Sequence, residues 1–202
     1  MDLIVKFIAL ILAVVIHEFA HGYAAFLLGD PTAKRAHRLT LNPLAHLDIF
    51  GSIILPLILV LSNSPILLGW AKPVPFNPRY FRDPQRGIMI VGAAGPLTNF
   101  AAALVSAVIF RFIAPLPHLV AVFLFFFCAT NLILGIFNLI PIPPLDGSRI
   151  VMGILPENLV PAYLRLESFG FIIIFALLWL GVLDYVIYPV YHLLIRWLLS
   201  VG

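Results

Sequence analysis

The chain has one cysteine, Cys128, in 202 residues. A lone thiol excludes an intramolecular disulfide and a zinc site built from cysteines. It closes the run Phe123-Leu124-Phe125-Phe126-Phe127-Cys128 and reads as packing. Charge is also scarce. Only 10% of residues are charged, where a soluble domain carries about 25%. With 62% hydrophobic residues and a mean hydropathy of +1.10, the composition excludes an ordinary soluble protein and points to one embedded in the lipid bilayer. No polar stretch is long enough for a second, soluble domain, so residues 1–202 read as a single integral-membrane domain. The formal net charge of +3 is no sign of nucleic-acid binding, because the basic residues sit in short loops beside apolar segments, where membrane topology accounts for them. An internal repeat, common in transporters, is not seen either.

Apolar segments cover residues 3–28, 49–69, 88–113, 119–140, 168–183 and 185–200. A helix needs about 20 residues to cross the hydrocarbon core. The expected fold is therefore an all-α polytopic membrane protein with about five to six transmembrane helices. The last two segments, parted by Gly181 to Asp184, are expected to be two tight spans. The second segment departs from the pattern. Prolines at 73, 75 and 78 follow it, and proline both removes a backbone donor and clashes with the preceding helical turn. Residues 49–78 are accordingly expected to form a re-entrant hairpin, entering as helix and returning extended. The basic loops agree. Such a hairpin puts Lys34, Arg35 and Arg38 on the same side as Arg79, Arg82 and Arg86. Arg149, Arg165 and Arg196 join them, leaving mainly Lys6 and Arg111 opposite. Extended backbone at membrane depth survives only against protein or a water-filled cavity, so the hairpin implies a cavity.

His17-Glu18-Phe19-Ala20-His21 lies inside the first apolar segment. Ionisable groups at bilayer depth cost on the order of 2.5–3.5 kcal/mol each, and a metal ion offsets that cost. Positions i and i+4 share a helix face, so His17 and His21 can hold one ion, with Glu18 beside water at that ion. This is the H-E-x-x-H pattern of zinc peptidases. The motif also stands where a signal peptide would be cut, which speaks against a cleaved leader. A catalytic zinc takes about three protein ligands. Asp146 is the candidate for the third. It follows Asn138-Leu139-Ile140-Pro141-Ile142-Pro143-Pro144-Leu145, where prolines end the fourth apolar segment and present a carboxylate from irregular backbone. Arg149 pairs either with lipid phosphate or with Asp146, and the second pairing would weaken the ligand assignment.

The motif in the first span, together with Asn138 to Gly147 in a later one, resembles the site-2 protease family (peptidase M50) of intramembrane zinc metalloproteases. Gly92-Ala93-Ala94-Gly95-Pro96-Leu97-Thr98-Asn99 is similar to that family's Gly-Pro-x-x-Asn span. Leu41 to Asp48 and Gly69 to Pro78 resemble its compact bacterial members without a PDZ domain. The resemblance covers roughly residues 1–150, which it makes a catalytic core, with C-terminal helices at about 168–200. It implies one Zn2+ held by His17, His21 and Asp146, with Glu18 as catalytic base. It also implies substrate-positioning or oxyanion roles for Asn99 and Asn138. His46 and Asp48 are candidates for hydrogen-bonding a metal ligand, weighed against capping and interfacial solvation. Asn131 reads as an interhelical hydrogen bond. The implied partners are a membrane-embedded protein substrate and the lipid bilayer, in a multi-pass protein of the bacterial inner membrane. A metal transporter is the competing reading. It would keep its flux when Glu18 is exchanged for Gln, whereas a protease would lose cleavage.

Overall fold

In the first helix every fourth residue, Val5, Ala9, Ala13, His17, His21 and Ala25, is buried. Leu3, Ile4, Phe7 and Leu27 point outward. An i, i+4 row of small residues lets a neighbouring helix approach closely, and the two histidines lie on that row. The structure is a computed structural model that describes residues 2–54, 58, 61, 71–113 and 115–199.

The described residues form helices and no strands. In chain order they are α1 (Asp2–Leu27), α2 (Thr32–Arg35), α3 (Pro84–Phe112), α4 (His118–Asn138), α5 (Asp146–Ile154), α6 (Val160–Leu164), α7 (Glu167–Trp179) and α8 (Val182–Leu199). A 3-10 turn spans Pro43–His46, a π-helical turn Ile49–Ile54, and a second 3-10 turn Pro78–Tyr80. Among the described residues, α1, α3, α4 and α8 are long and apolar enough to cross a membrane. Large apolar side chains cover their outer surfaces, with Phe112, Leu193 and Trp197 each more than two-thirds exposed. That surface suits hydrocarbon rather than water. The fold is the expected all-α polytopic membrane protein.

Helix α3 is the hub, packing on α1, α4 and α5. It starts at Pro84, with Asp83 accepting a hydrogen bond from the Arg86 amide, the arrangement that satisfies an orphan first-turn donor. Its inner face carries Ala103 and Ala107, which meet Cys128 and Leu132 of α4 beneath Tyr191, Leu194 and Ile195 of α8. Cys128 is thus a packing residue. The amide of Gln85 donates to the Met152 and Leu155 carbonyls. This ties the start of α3 to the end of α5 and lays α5 along α3.

The C-terminal segments are two separate helices. The backbone breaks at Gly181, whose φ of +68° is a conformation that glycine adopts without a Cβ clash. α7 has 13 residues and rises about 20 Å, short of the hydrocarbon thickness, so of the two tight spans only α8 reaches crossing length. The apex of the hairpin expected at 49–78 lies outside the described residues. Its returning arm, residues 71–77, is neither helix nor strand. It ends extended, with Asn77 at φ −126°, ψ 107°, as the prolines require.

Candidate metal centre

Three acceptor atoms converge where α1, α3 and α5 meet. His17 Nε2 and His21 Nε2 stand 3.0 Å apart. Asp146 Oδ2 is 3.0 Å from the first and 3.1 Å from the second. All three side chains are at least nine-tenths buried. The two histidines come from one face of α1. Asp146 comes from the first turn of α5, where the positive end of the helix dipole favours a carboxylate.

The hydrogen bonds behind the trio fix its chemistry. His21 Nδ1 donates to the Val91 carbonyl at 2.7 Å. His17 Nδ1 donates to Asn99 Oδ1 at 2.6 Å. The orientation of Asn99 is set by its own amide nitrogen, which donates to the Ala13 carbonyl and to Asn131 Oδ1. A neutral imidazole carries one N–H. With both Nδ1 atoms donating, both Nε2 atoms present lone pairs. Two lone pairs and a carboxylate oxygen crowded within 3.1 Å repel one another unless a cation sits among them. Ligands of a tetrahedral zinc at 2.0–2.2 Å stand roughly 3.3 Å apart, a few tenths of an ångström wider than these contacts. Nitrogen and oxygen donors in this number and spacing suit zinc.

The space for an ion depends on Gly95. A Cβ there would lie 2.5 Å from His21 Nε2 and 2.6 Å from His17 Cε1, so any side chain would enter the ring of donors. Pro96 follows and has no N–H to offer the carbonyl one turn back.

Arg149 does pair with Asp146, but its Nη1 takes Oδ1, at 2.9 Å, and leaves Oδ2 facing the histidines. The pair therefore orients the carboxylate for one-oxygen ligation rather than displacing a metal. The loop before Asp146 is braced by the Tyr163 hydroxyl, which donates to the Pro141 carbonyl at 2.7 Å. Gly170 adds to this, since a Cβ there would overlap the Pro143 carbonyl. Among the described residues this trio is the group of histidine, cysteine and carboxylate side chains that can hold a metal ion.

Glu18, next to His17 in sequence, accepts the Val74 backbone N–H at 2.8 Å through Oε2. The returning arm of the expected hairpin thus touches the candidate base.

The other polar residues named from sequence take the following places. Asn99 is fully buried and spends its carboxamide on His17, Ala13 and Asn131. Its hydrogen bonds run inward between helices, and one of them orients the ring of His17. Asn131 makes the interhelical bond read from sequence. Asn138, at the end of α4, donates to the Leu134 carbonyl at 3.0 Å. His46 is buried, donates from Nε2 to the Thr40 carbonyl, and offers its own carbonyl to the Lys72 amide. It supports the loop and the arm rather than a metal ligand. Asp48 accepts from the Gly51 amide at 2.7 Å and so caps the π-helical turn. A cavity of about 550 Å³ lies at the end of α1 beside Phe26, Lys34, His37 and Asn42, away from the trio. Two residues that contact the arm, Asp30 and Arg38, were not singled out from sequence as site residues. The one signal for Asp30 is a carboxylate between Gly29 and Pro31, which reads as a plain turn.

Known proteins are similar to most of the chain. The family model "Peptidase family M50" matches residues 115–181, a stretch that includes Asp146 but not the histidine motif. YwhC of Bacillus subtilis (strain 168), which carries the name of a zinc metalloprotease, is 39% identical over 194 residues, covering 90% of this chain and 83% of its own length. Rip2 of Mycolicibacterium smegmatis, with a name of the same kind, is 31% identical over 176 residues, or 83% of this chain and 64% of that protein. A zinc metalloprotease of Methanocaldococcus jannaschii is 29% identical over 158 residues, 76% of this chain and 35% of that protein. No solved structure matches the chain. The chain belongs to peptidase family M50 and is a zinc metalloprotease with membrane-spanning helices.

Two variants test the geometry. Asn99→Ala frees the His17 ring and should lower zinc affinity about 10- to 100-fold, read by competition with a chelator on folded, detergent-purified protein. Gly95→Ala fills the space between the donors and should abolish stoichiometric zinc while the protein stays folded. Full zinc content in that variant would mean the ion binds elsewhere.

Proposed function

We propose that this chain is an intramembrane zinc endopeptidase, cutting peptide bonds within or near the transmembrane segments of other membrane proteins. In this reading His17, His21 and Asp146 hold one zinc per chain and Glu18 is the catalytic base. The observation that carries it is the convergence of three buried acceptors, with the ring N–H of both histidines committed elsewhere, beside two helices of membrane-spanning length.

Bound there, zinc supplies Lewis acidity, lowering the pKa of water to about 7 and polarising a carbonyl. Glu18 does the proton work. Its Oε2 is held by the Val74 amide, which fixes the carboxylate and leaves the other oxygen to accept the proton of the attacking water and return it to the leaving amine. Arg149 holds the remaining oxygen of Asp146, and Asn99 and Val91 hold the outer nitrogens of the histidines. Asn138 uses one amide hydrogen on Leu134, and its second can serve a developing oxyanion.

A transmembrane helix hides its peptide bonds in its own hydrogen bonds and must unwind before it is cut. Residues 71–77 offer an extended segment for the unwound chain to pair with. Prolines 73 and 75 have no N–H, and the amides of Lys72, Val74 and Asn77 are already donating to His46, Glu18 and Asp30. The arm therefore offers mainly carbonyls, and a substrate pairs by donating its own N–H groups. The bacterial relatives and the lipid-facing helices support a multi-pass protein of the bacterial inner membrane, with residues 1–202 acting as one peptidase domain.

Glu18→Gln separates proteolysis from metal binding. The variant should keep about one zinc per chain and lose about 10²- to 10⁴-fold in cleavage of a model transmembrane substrate. Cleavage at the wild-type rate would remove Glu18 from the chemistry.

A further inference from the structure

The arm at 71–77 is held at both ends by residues outside the metal site. Asp30, just past the end of α1, is fully buried. Its Oδ1 accepts from the Thr32 amide and the Thr32 hydroxyl, and its Oδ2 accepts from the Asn77 amide at 2.6 Å. The two bonds from Thr32 take only one of those oxygens. The other reaches 47 residues along the chain to the arm. At the opposite end, Arg38 is also buried. Its Nη2 donates to the Lys72 carbonyl at 2.5 Å and, more weakly, to the Pro73 carbonyl at 3.5 Å. The Lys72 amide returns to His46. Between these anchors the Val74 amide meets Glu18.

We propose that Asp30 and Arg38 are positioning residues that clamp the arm in one register over α1, and so decide which substrate peptide bond reaches the metal and Glu18. The proposal rests on the proteolytic reading above. Its physical basis is the step of an extended chain, about 3.3 Å per residue. A slip of one residue carries the Val74 amide away from Glu18 and turns alternate groups to the other side. Val74 and Asn77 are three residues apart, no more than about 10 Å of chain, so a bond at Asn77 restricts the position of Val74. Proline alone does not set this register, because the arm's prolines fix backbone angles and make no bond to α1. Phe76 carries the same register to the metal ligands, since the Arg149 guanidinium that holds Asp146 lies 5.4 Å from the centre of its ring.

Asp30→Asn is the decisive variant. Asparagine has one acceptor oxygen and cannot serve both Thr32 and Asn77. In the full-length, zinc-loaded protein we expect zinc content to stay at the wild-type level and cleavage of a model transmembrane substrate to fall about 10- to 100-fold. Mass spectrometry of the products should show cuts spread over neighbouring bonds instead of the wild-type bond. Hydrogen exchange at the Val74 and Asn77 amides should speed up. Arg38→Gln should give the same spread, and it decides the matter if Asp30→Asn does not fold. Thr32→Val removes only the hydroxyl bond at Oδ1 and should cut at the wild-type bond. Wild-type cut position and wild-type exchange in both clamp variants would overturn the proposal, as would a spread in Thr32→Val equal to that in Asp30→Asn. If wild type itself fails to cleave, or Glu18→Gln cleaves equally, the proteolytic reading falls. Exchange at the two amides then still decides whether the clamp exists.

Discussion

Three lone pairs aimed at one point inside a protein of low dielectric are an unstable arrangement without a cation, and much of this fold is organised around them. His17, His21 and Asp146 gain nothing from one another when the two imidazoles are neutral, since each offers an acceptor to the others. They are held together from outside. The Val91 carbonyl, Asn99 and Arg149 each take the atom that faces away from the centre. Burial strengthens these bonds, because inside the protein no water competes for the same donors. It equally raises the cost of leaving any of them unmade.

Helix α3 makes this possible. It lacks a side chain at Gly95, where the donors need room, and an N–H at Pro96, beside the carbonyl that receives His21. Asn99, one turn further on, lies in reach of both α1 and α4. One run of α3 therefore sets the width of the site, the tautomer of one histidine and the spacing of three helices. The cost of a polar asparagine pair in an apolar bundle is offset because every group of Asn99 has a partner.

The metal trio was legible in the sequence because each part rests on local rules. The i, i+4 spacing puts two histidines on one face whatever packs against them, and the prolines before Asp146 end a helix wherever it lies. The all-α membrane class likewise follows from composition and length. What was not legible depends on tertiary partners. The partners of Asn99 exist only once α1 and α4 close around it. His46 lies three residues from the hairpin segment and reads as support for a metal ligand. Its actual partners, Thr40 and Lys72, are set by how the loop folds back. Asp30 was passed over because Gly29-Asp30-Pro31 is a complete local explanation of a turn. Only its second oxygen carries the long-range information. The break at Gly181 was legible too, but the apolar run at 168–183 does not reveal that α7 has only 13 residues, because where its helix begins depends on how the loop before it packs.

The arm and the candidate metal site meet at two points, a hydrogen bond at Glu18 and a ring contact at Arg149. Glu18 uses one carboxylate oxygen to hold Val74 and, in the proposed mechanism, keeps the other for the proton. Arg149 uses one nitrogen to hold Asp146, while its plane lies near the ring of Phe76. In the proposed mechanism, a segment that pairs with the arm is therefore registered against Glu18 and Asp146 by the same two side chains. This matters for the proposed cleavage of an unwound helix, where successive peptide bonds are chemically alike. Selection among them has to come from position along the chain, and position here is set by backbone hydrogen bonds that do not depend on the substrate's side chains.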